Sequence, residues 1–476
     1  MNELSDGLIV VAKRDCPTCT LIEPVYGQLA NSGQGCAIFS QDDPSFPASA
    51  TARYDGDLET SYRLGIEIVP TLIRMEKGRE VARTYGWDRA EWERITGIKG
   101  LGEGLPASRP GCGSKSTDPG IRHRLAVRFN NTGLKSRVID APDDIDAIEY
   151  CNERGWSDGL PLVPPTEEKV LAMLDGTTRA PSEVIGIIPP DRVECTIEKI
   201  AINAVMAGCK PEYLPVVIAA VEASLTPEFG LHGIICTTNA VAPVIMVNGP
   251  IARAIGMNGR HNAFGQGNRA NAAIGRAFQL VMRNIGGGRP GEIDRAVFGN
   301  PGKYTFCFCE DEDPEWTTYA EEKGFGRKTN VVTLFPGDGA QPVRDEIART
   351  PEELCVSFSS VLKAIYHPGQ VADLSAFLVV CPEHAHVFHQ AGWSKERLKD
   401  ELIKLMRVPL RDVHGPLQPG RYPTPEERAD PNASTPKFRT GSFNIISAGG
   451  SAGKFSAFIS GLGSITINPV SKEIRS

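Results

Sequence analysis

The sequence lacks several features that would fix a function at once. No uninterrupted apolar run reaches membrane-spanning length, and Met1-Asn2-Glu3-Leu4-Ser5-Asp6 lacks the basic region and apolar stretch of an export signal. The expectation is a protein of the reducing cytoplasm with no membrane partner. There is no excess of basic residues: 51 Lys and Arg stand against 58 Asp and Glu, and the net charge of −7 argues against nucleic acid as a general partner. There is no second Cys-x-x-Cys beside the one at Cys16, which excludes a zinc site built from two such pairs. Histidine is scarce, eight in 476 residues, and no pair has the i,i+4 spacing with an interposed glutamate of a metallohydrolase helix. No repeat and no low-complexity tract appears.

The rest of the composition is that of an ordinary globular chain, 41% hydrophobic and 23% charged. At about 150 residues per domain, two or three domains are expected. Twelve cysteines in a reducing compartment read as free thiols, catalytic groups or ligands rather than as a disulfide frame.

Cys16-Pro17-Thr18-Cys19 is the most informative stretch. The apolar run Leu8-Ile9-Val10-Val11-Ala12 before it has strand character, and Thr20 to Leu29 after it reads as a helix. Two cysteines at a helix N-terminus sit where unpaired N–H groups and the positive end of the dipole favour a thiolate at the first. Lys13 and Arg14 add positive charge nearby. Cys16 is then the candidate nucleophile and Cys19 the thiol that resolves its mixed disulfide. A zinc half-site and a pair of core thiols are the alternatives. Further on, Gly65-Ile66-Glu67-Ile68-Val69-Pro70-Thr71 leads through a strand and a turn at Lys77-Gly78 into a second strand.

Taken together, residues 1 to about 98 resemble the thioredoxin family. Its G-I-x-x-x-P-T run is matched at Gly65 to Thr71, and its proline five residues past the second cysteine is matched by Pro24. The resemblance implies a thioredoxin fold, a cis Pro70 facing Cys16 and Cys19, and dithiol exchange. Two positions depart from the family: Asp15 replaces the usual aromatic residue, and Val10 stands where a buried acid serves the second cysteine. Pro17 after the first cysteine is more glutaredoxin-like, but no glutathione site is inferred from Gly86-Trp87-Asp88.

The expected organisation is a dithiol domain over 1–98, a Gly/Pro/Ser-rich linker over 99–121, and a large catalytic domain over 122–476. Cys112, between two glycines and near Arg109 and Lys115, is a candidate relay thiol visiting the Cys16–Cys19 pair. An ordinary loop cysteine is the alternative. The large domain alternates helices with short apolar strands, an α/β or α+β pattern of unknown topology. Strands are expected at Val244–Val247, Tyr304–Cys309, Val331–Phe335, Ala376–Val380, Phe443–Ile446 and Ile465–Ile467, and an irregular loop over 416–436.

Four features of this part bear on chemistry. Gly265-Gln266-Gly267-Asn268-Arg269-Ala270 opens a helix but follows no strand, so a dinucleotide fold is rejected. Arg269, Arg276 and Arg283 share one helix face, and Arg269 and Arg276 are candidates for binding an anionic substrate. Gly450 and Gly453, in a glycine-rich turn that fails the phosphate-loop pattern at Ala448 and Phe455, are further anion-binding candidates. His384, His386 and His389 are weak metal candidates. Cys307 and Cys309 read as packed thiols on one strand face.

No cofactor is predicted, with metal left open. The functional expectation is a thiol–disulfide oxidoreductase module serving a thiol-dependent reaction on a small, anionic substrate, with an external thiol as reductant. A homo-oligomer is compatible with the sequence. Two other readings stand beside it: a lyase, hydrolase or sulfur transferase whose dithiol domain handles a sulfur carrier, and a redox-sensing binding protein.

Overall fold

The computed structural model of the chain describes residues 6–142, 144–371, 374–439, 441–462 and 467–475. Residues 1–5, and Ile465 and Thr466 of the last predicted strand, lie outside these. The architecture is α/β throughout, in two compact units, Met1–Gly133 and Leu134–Ser476. Among the described residues no single helix is long and apolar enough to cross a membrane.

The first unit is organised on a five-stranded sheet. Strands β1 (Gly7–Ala12), β2 (Cys36–Ser40) and β3 (Arg53–Tyr54) run parallel, and β5 (Thr71–Glu76) and β6 (Arg79–Tyr85) continue the other side of β1 antiparallel, in the order β3-β2-β1-β5-β6. The central strand β1 is buried along Leu8–Ala12, which is why it reads as an unbroken apolar run rather than an alternating one. Helix α1 (Pro17–Leu21) follows it, then α2 (Glu23–Ala30), α3 (Glu59–Arg63), α4 (Arg89–Thr96) and α5 (Pro119–Arg128). The start of α4 is fixed by Asp88, whose carboxylate accepts the Glu91 N–H at 3.1 Å, and its end by Gly97 in the left-handed region. Trp92 of α4 meets Trp87 edge-on, with centroids 5.4 Å apart.

The segment 99–121, expected to be a linker, is instead folded into this unit. It carries two short strands, β8 (Ser108–Arg109) and β9 (Cys112–Gly113), paired with β7 (Trp87–Asp88) and β4 (Ile68–Val69) respectively. Leu101 is fully buried, Trp87 Nε1 donates to the Pro106 carbonyl (2.7 Å), and Gln28 accepts the Gly102 N–H (2.9 Å). The buried Gln41 amide donates to Ser61 Oγ and Ser114 Oγ (2.8 and 2.7 Å), and its oxygen accepts the Lys115 N–H (3.1 Å). The glycines and prolines here shape a close-fitting crossover, not a flexible tether.

The second unit has four layers. One sheet has the order β13-β12-β14-β21, from β12 (Ala242–Asn248), β13 (Cys307–Cys309), β14 (Val331–Gly337) and β21 (Val470–Glu473). The other has the order β15-β20-β16-β19, from β15 (Gln341–Arg344), β16 (Leu374–Val380), β19 (Phe443–Ser447) and β20 (Phe455–Leu462). Hairpin β10 (Val184–Ile188)–β11 (Val193–Thr196) and the pair β17 (Arg407–Pro409)–β18 (Ser434–Pro436) lie outside both sheets. Residue alternation explains the layering. Val244, Met246 and Phe335 of the first sheet pack with Phe377, Val379, Ile446 and Ile459 of the second. Phe335 and Phe377 stack at 3.8 Å, a ring pairing worth about 0.5–1.5 kcal/mol beyond area burial. The opposite faces, Ile245 and Val247 on one side and Leu378 and Val380 on the other, each bury against helices. The region 416–436 is less irregular than expected, holding a helix at Pro425–Ala429 as well as β18.

Limited trypsin digestion is expected to cut first in the stretch 131–142, which forms neither helix nor strand, at Lys135 or Arg137. Arg109 and Lys115 should stay intact, as read by mass spectrometry of early fragments. Early cleavage at either would contradict the packing of residues 99–121.

Candidate active site

Three thiols of the first unit converge at the start of α1. Cys16 has extended backbone (φ −143°, ψ 112°) and caps the helix: its sulfur accepts the Cys19 N–H at 3.4 Å. Pro17 occupies the first helical position, where a missing N–H costs nothing. When protonated, the Cys16 thiol points at the Val69 carbonyl oxygen, 3.6 Å away. The Val69–Pro70 peptide is cis.

Cys112 reaches the same point through the backbone. In the β4–β9 pairing its register partner is Val69. Thr18 Oγ1, in the first turn of α1, donates to the Pro110 carbonyl at 2.6 Å and holds the segment down. Two glycines allow the approach. A Cβ on Gly111 would lie 2.4 Å from Ile68 Cγ2 and 2.6 Å from the Val69 oxygen. Gly86, at φ +69°, would press a Cβ to 2.9 Å from the Gly111 nitrogen.

The electrostatics divide the thiols into three kinds. The hydrogen bond with the Cys19 side chain pulls Cys16 down to about 5, against the effect of burial, helped by the Cys19 N–H and the Cys112 side chain. Burial, then the nearby Cys16, pushes Cys19 far up. Cys112 is raised by burial and by Cys16. At neutral pH the arrangement is one thiolate flanked by two thiols. Cys16 and Cys19 are 1% and 0% exposed, whereas Cys112 is half-buried, so Cys112 is the sulfur that solvent reaches.

Sequence reasoning overlooked Tyr26. It is fully buried, its hydroxyl makes no well-formed hydrogen bond, and it interacts electrostatically with Cys19. Only a three-dimensional neighbour relation reveals it, because nothing in the spacing of Cys19 and Tyr26 marks a polar partner.

The other candidates do not assemble into a site. Arg269 spends its guanidinium on the Gly208 carbonyl (3.1 and 2.9 Å). Arg276 forms a two-point ion pair with Asp158 (2.8 and 2.7 Å) and also donates to the carbonyls of Pro161 and Leu160. Arg276 thus has Nε and both terminal nitrogens on protein oxygens, whereas Arg269 is exposed and has Nε and Nη2 on the Gly208 carbonyl. Arg283 reaches the lining of a cavity of about 520 Å³ beside Gln279 and Asn300. Gly450 lies where a Cβ would strike the His261 ring at 2.4 Å, and Gly453 is a left-handed turn residue at φ +101°. The three histidines part company: His384 is buried, His386 is exposed, and His389 pairs with Asp313 and Glu315 (3.3 and 3.5 Å). Among the described residues no group of three or more His, Cys, Asp or Glu is placed to hold a metal ion. Cys307 and Cys309 are buried free thiols.

Comparison of the chain with protein-family models, with curated proteins and with solved structures finds no match.

Two outcomes are expected. In the reduced protein, the ultraviolet absorbance of the Cys16 thiolate should be half-maximal near pH 5 and fall below that as the thiolate takes a proton, and Cys16→Ser should abolish this transition. A midpoint near pH 9 would show an unperturbed thiol. Gly111→Ala should lift β9 from β4, costing about 1–3 kcal/mol in denaturant unfolding and raising Cys112 labelling.

Proposed function

We propose that the first unit is a thiol–disulfide exchange module of thioredoxin type, in which Cys112 is the exchange point with the surroundings. The observation that carries this reading is the graded set of thiols: a buried thiolate at Cys16, a buried thiol behind it at Cys19, and a solvent-reached thiol at Cys112 paired to the residue before Pro70. The parallel β1–β2 pairing, the antiparallel β1–β5–β6 run and the Cys-x-x-Cys at the start of α1 agree with what the resemblance implies.

The chemistry runs in three exchanges. A small disulfide oxidises Cys112 to a mixed disulfide and leaves as one thiol. The Cys16 thiolate attacks the Cys112 sulfur, forming Cys16–Cys112 and expelling the second small thiol. Cys19 then attacks Cys16; its proton ends on Cys112, and the Cys16–Cys19 disulfide remains. The sum is one small disulfide reduced to two thiols and one dithiol oxidised. An external thiol returns the pair to the reduced state. The thiol-dependent reaction served by the module is assigned to the second unit.

Cys19→Ser removes the last exchange and leaves the first two. Treated with 2-hydroxyethyl disulfide, this variant should accumulate an intrachain Cys16–Cys112 bridge. Cys112→Ser in the otherwise natural chain should slow oxidation of the Cys16–Cys19 pair about tenfold, or 1.4 kcal/mol in barrier. The role of Cys112 is refuted if Cys16 in the Cys19→Ser variant takes up the small thiol directly while Cys112 stays free.

A further inference from the structure

The second unit holds a thiol unlike its other buried ones. Its two sheets end their parallel strand pairs, β12/β13 and β16/β19, at one shared edge. The Asp311 N–H, just past β13, donates to the Ser447 carbonyl at the end of β19 (2.8 Å), and the Gly449 N–H donates to the Gly259 carbonyl (2.9 Å). The carboxyl ends of parallel strands are where α/β sheets open to ligands, because helices start there and their N–H groups face outward.

At this edge β16 runs into Cys381, which stands at the cap of the nine-residue helix Pro382–Gln390. His384 lies one turn on. Its Nε2 is 2.9 Å from the Asp345 carbonyl oxygen, which only accepts, so Nε2 carries the hydrogen and Nδ1 is the nitrogen free to exchange one. Nδ1 is 2.7 Å from Ser456 Oγ, and that hydroxyl oxygen accepts the Cys381 N–H at 3.2 Å. The imidazole also acts electrostatically on the Cys381 thiol. The Ser456 hydroxyl thus links the imidazole to the Cys381 backbone, and the Asp345 carbonyl orients the imidazole from behind.

Burial alone would raise this thiol and lower this imidazole. The interaction between them outweighs burial for both: Cys381 is held below its ordinary range and His384 above its own. The Asp345 carboxylate, on the loop after β15, also acts on the imidazole. By contrast, burial pushes Cys195, Cys209 and Cys355 of the same unit each up to about 12. The glycine-rich turn after β19 passes over the thiol: a Cβ on Gly449 would lie 3.7 Å from Cys381 Cβ. The N–H groups of Gly450, Ser451 and Ala452 in that turn donate to no acceptor among the described residues.

We propose that Cys381 is a nucleophilic thiol that accepts an acyl group from an ester or thioester, with His384 taking and returning its proton. Proton transfer to Nδ1 gives a thiolate and an imidazolium. The sulfur adds to the carbonyl carbon, the carbonyl electron pair moves onto oxygen, and the free N–H groups of the turn are the donors available to it. As the pair returns, the bond to the leaving group breaks, and that group departs with the proton from His384. Water then attacks the thioester on Cys381, its proton passes to His384, and the thiol is restored. An ester and water become an acid and an alcohol, with no change of oxidation state.

The test uses the full chain with Cys16→Ser and Cys112→Ser, so that thiols of the first unit do not contribute. Incubated with p-nitrophenyl acetate at pH 6 and quenched in acid, it should carry one acetyl group, on Cys381. Cys195 and Cys209 should stay unmodified, which separates a reactive thiol from one bared by unfolding. His384→Gln should slow acetylation of Cys381 about a hundredfold at pH 6. It should also move the midpoint of its pH profile upward, a shift that loss of packing alone would not give. If that variant does not fold, Ser456→Ala should move the midpoint in the same direction by a smaller step. The proposal fails if Cys381 is acetylated no faster than Cys195, if only amines are acetylated, or if the pH profile of the folded variant is unmoved.

Discussion

The antiparallel pairing of Val69 with Cys112 is the constraint on which the first unit's chemistry depends. It brings a cysteine 93 positions from Cys19 in sequence to the mouth of α1, beside the Cys16 sulfur that faces the Val69 carbonyl. Everything around the pairing serves to keep it flat and close. Gly111 and Gly86 remove the Cβ atoms that would force the strands apart, Thr18 clasps Pro110, and the Gln41 amide fastens Ser114 and Lys115 from the sheet side. Losing Gln41's partners would leave a buried amide unsatisfied, at about 1–3 kcal/mol, so the fastening is stronger than its individual bonds suggest.

One physical rule governs the sulfur atoms of both units. Burial in apolar surroundings drives a thiol toward its protonated form, and Cys36, Cys195, Cys209 and Cys355 follow that rule. Two positions escape it, Cys16 and Cys381, and they share a local design. Each stands at the N-cap of a helix whose first residue is proline, and each is pulled down by the residue three positions on, Cys19 for Cys16 and His384 for Cys381. At Cys16 a backbone donor that the helix cannot use internally, the Cys19 N–H, is spent on sulfur.

Much of this was legible in the sequence, and the failures share a cause. β1, β12, β14, β16 and β19 announce themselves because strands buried on both faces read as continuous apolar runs. The Cys-x-x-Cys and its helix are equally local. The segment 99–121 was misread because its order comes from backbone pairing and from side chains far away, Gln28, Gln41 and Arg89, which leave no period in its own composition. The seven-residue spacing of Arg269 and Arg276 correctly gives one helix face. It is silent on what the face meets, and Asp158 lies 118 positions away. His384 was visible as one of a histidine run, but its partners, Ser456 and Asp345, come from other strands and loops, so the run alone could not show that its ring is buried and hydrogen-bonded.

The placement of β9 has a consequence for selectivity. A foreign peptide seeking the strip of backbone beside Pro70 must evict a rival that is tied to the same chain and never diffuses away. Short tethers of this kind act at an effective concentration on the order of millimolar, far above that of most protein partners in solution. Extended polypeptides are therefore poor competitors for this edge. Compact thiols and disulfides, which need only the sulfur of Cys112 and no backbone at all, are not excluded by that rivalry.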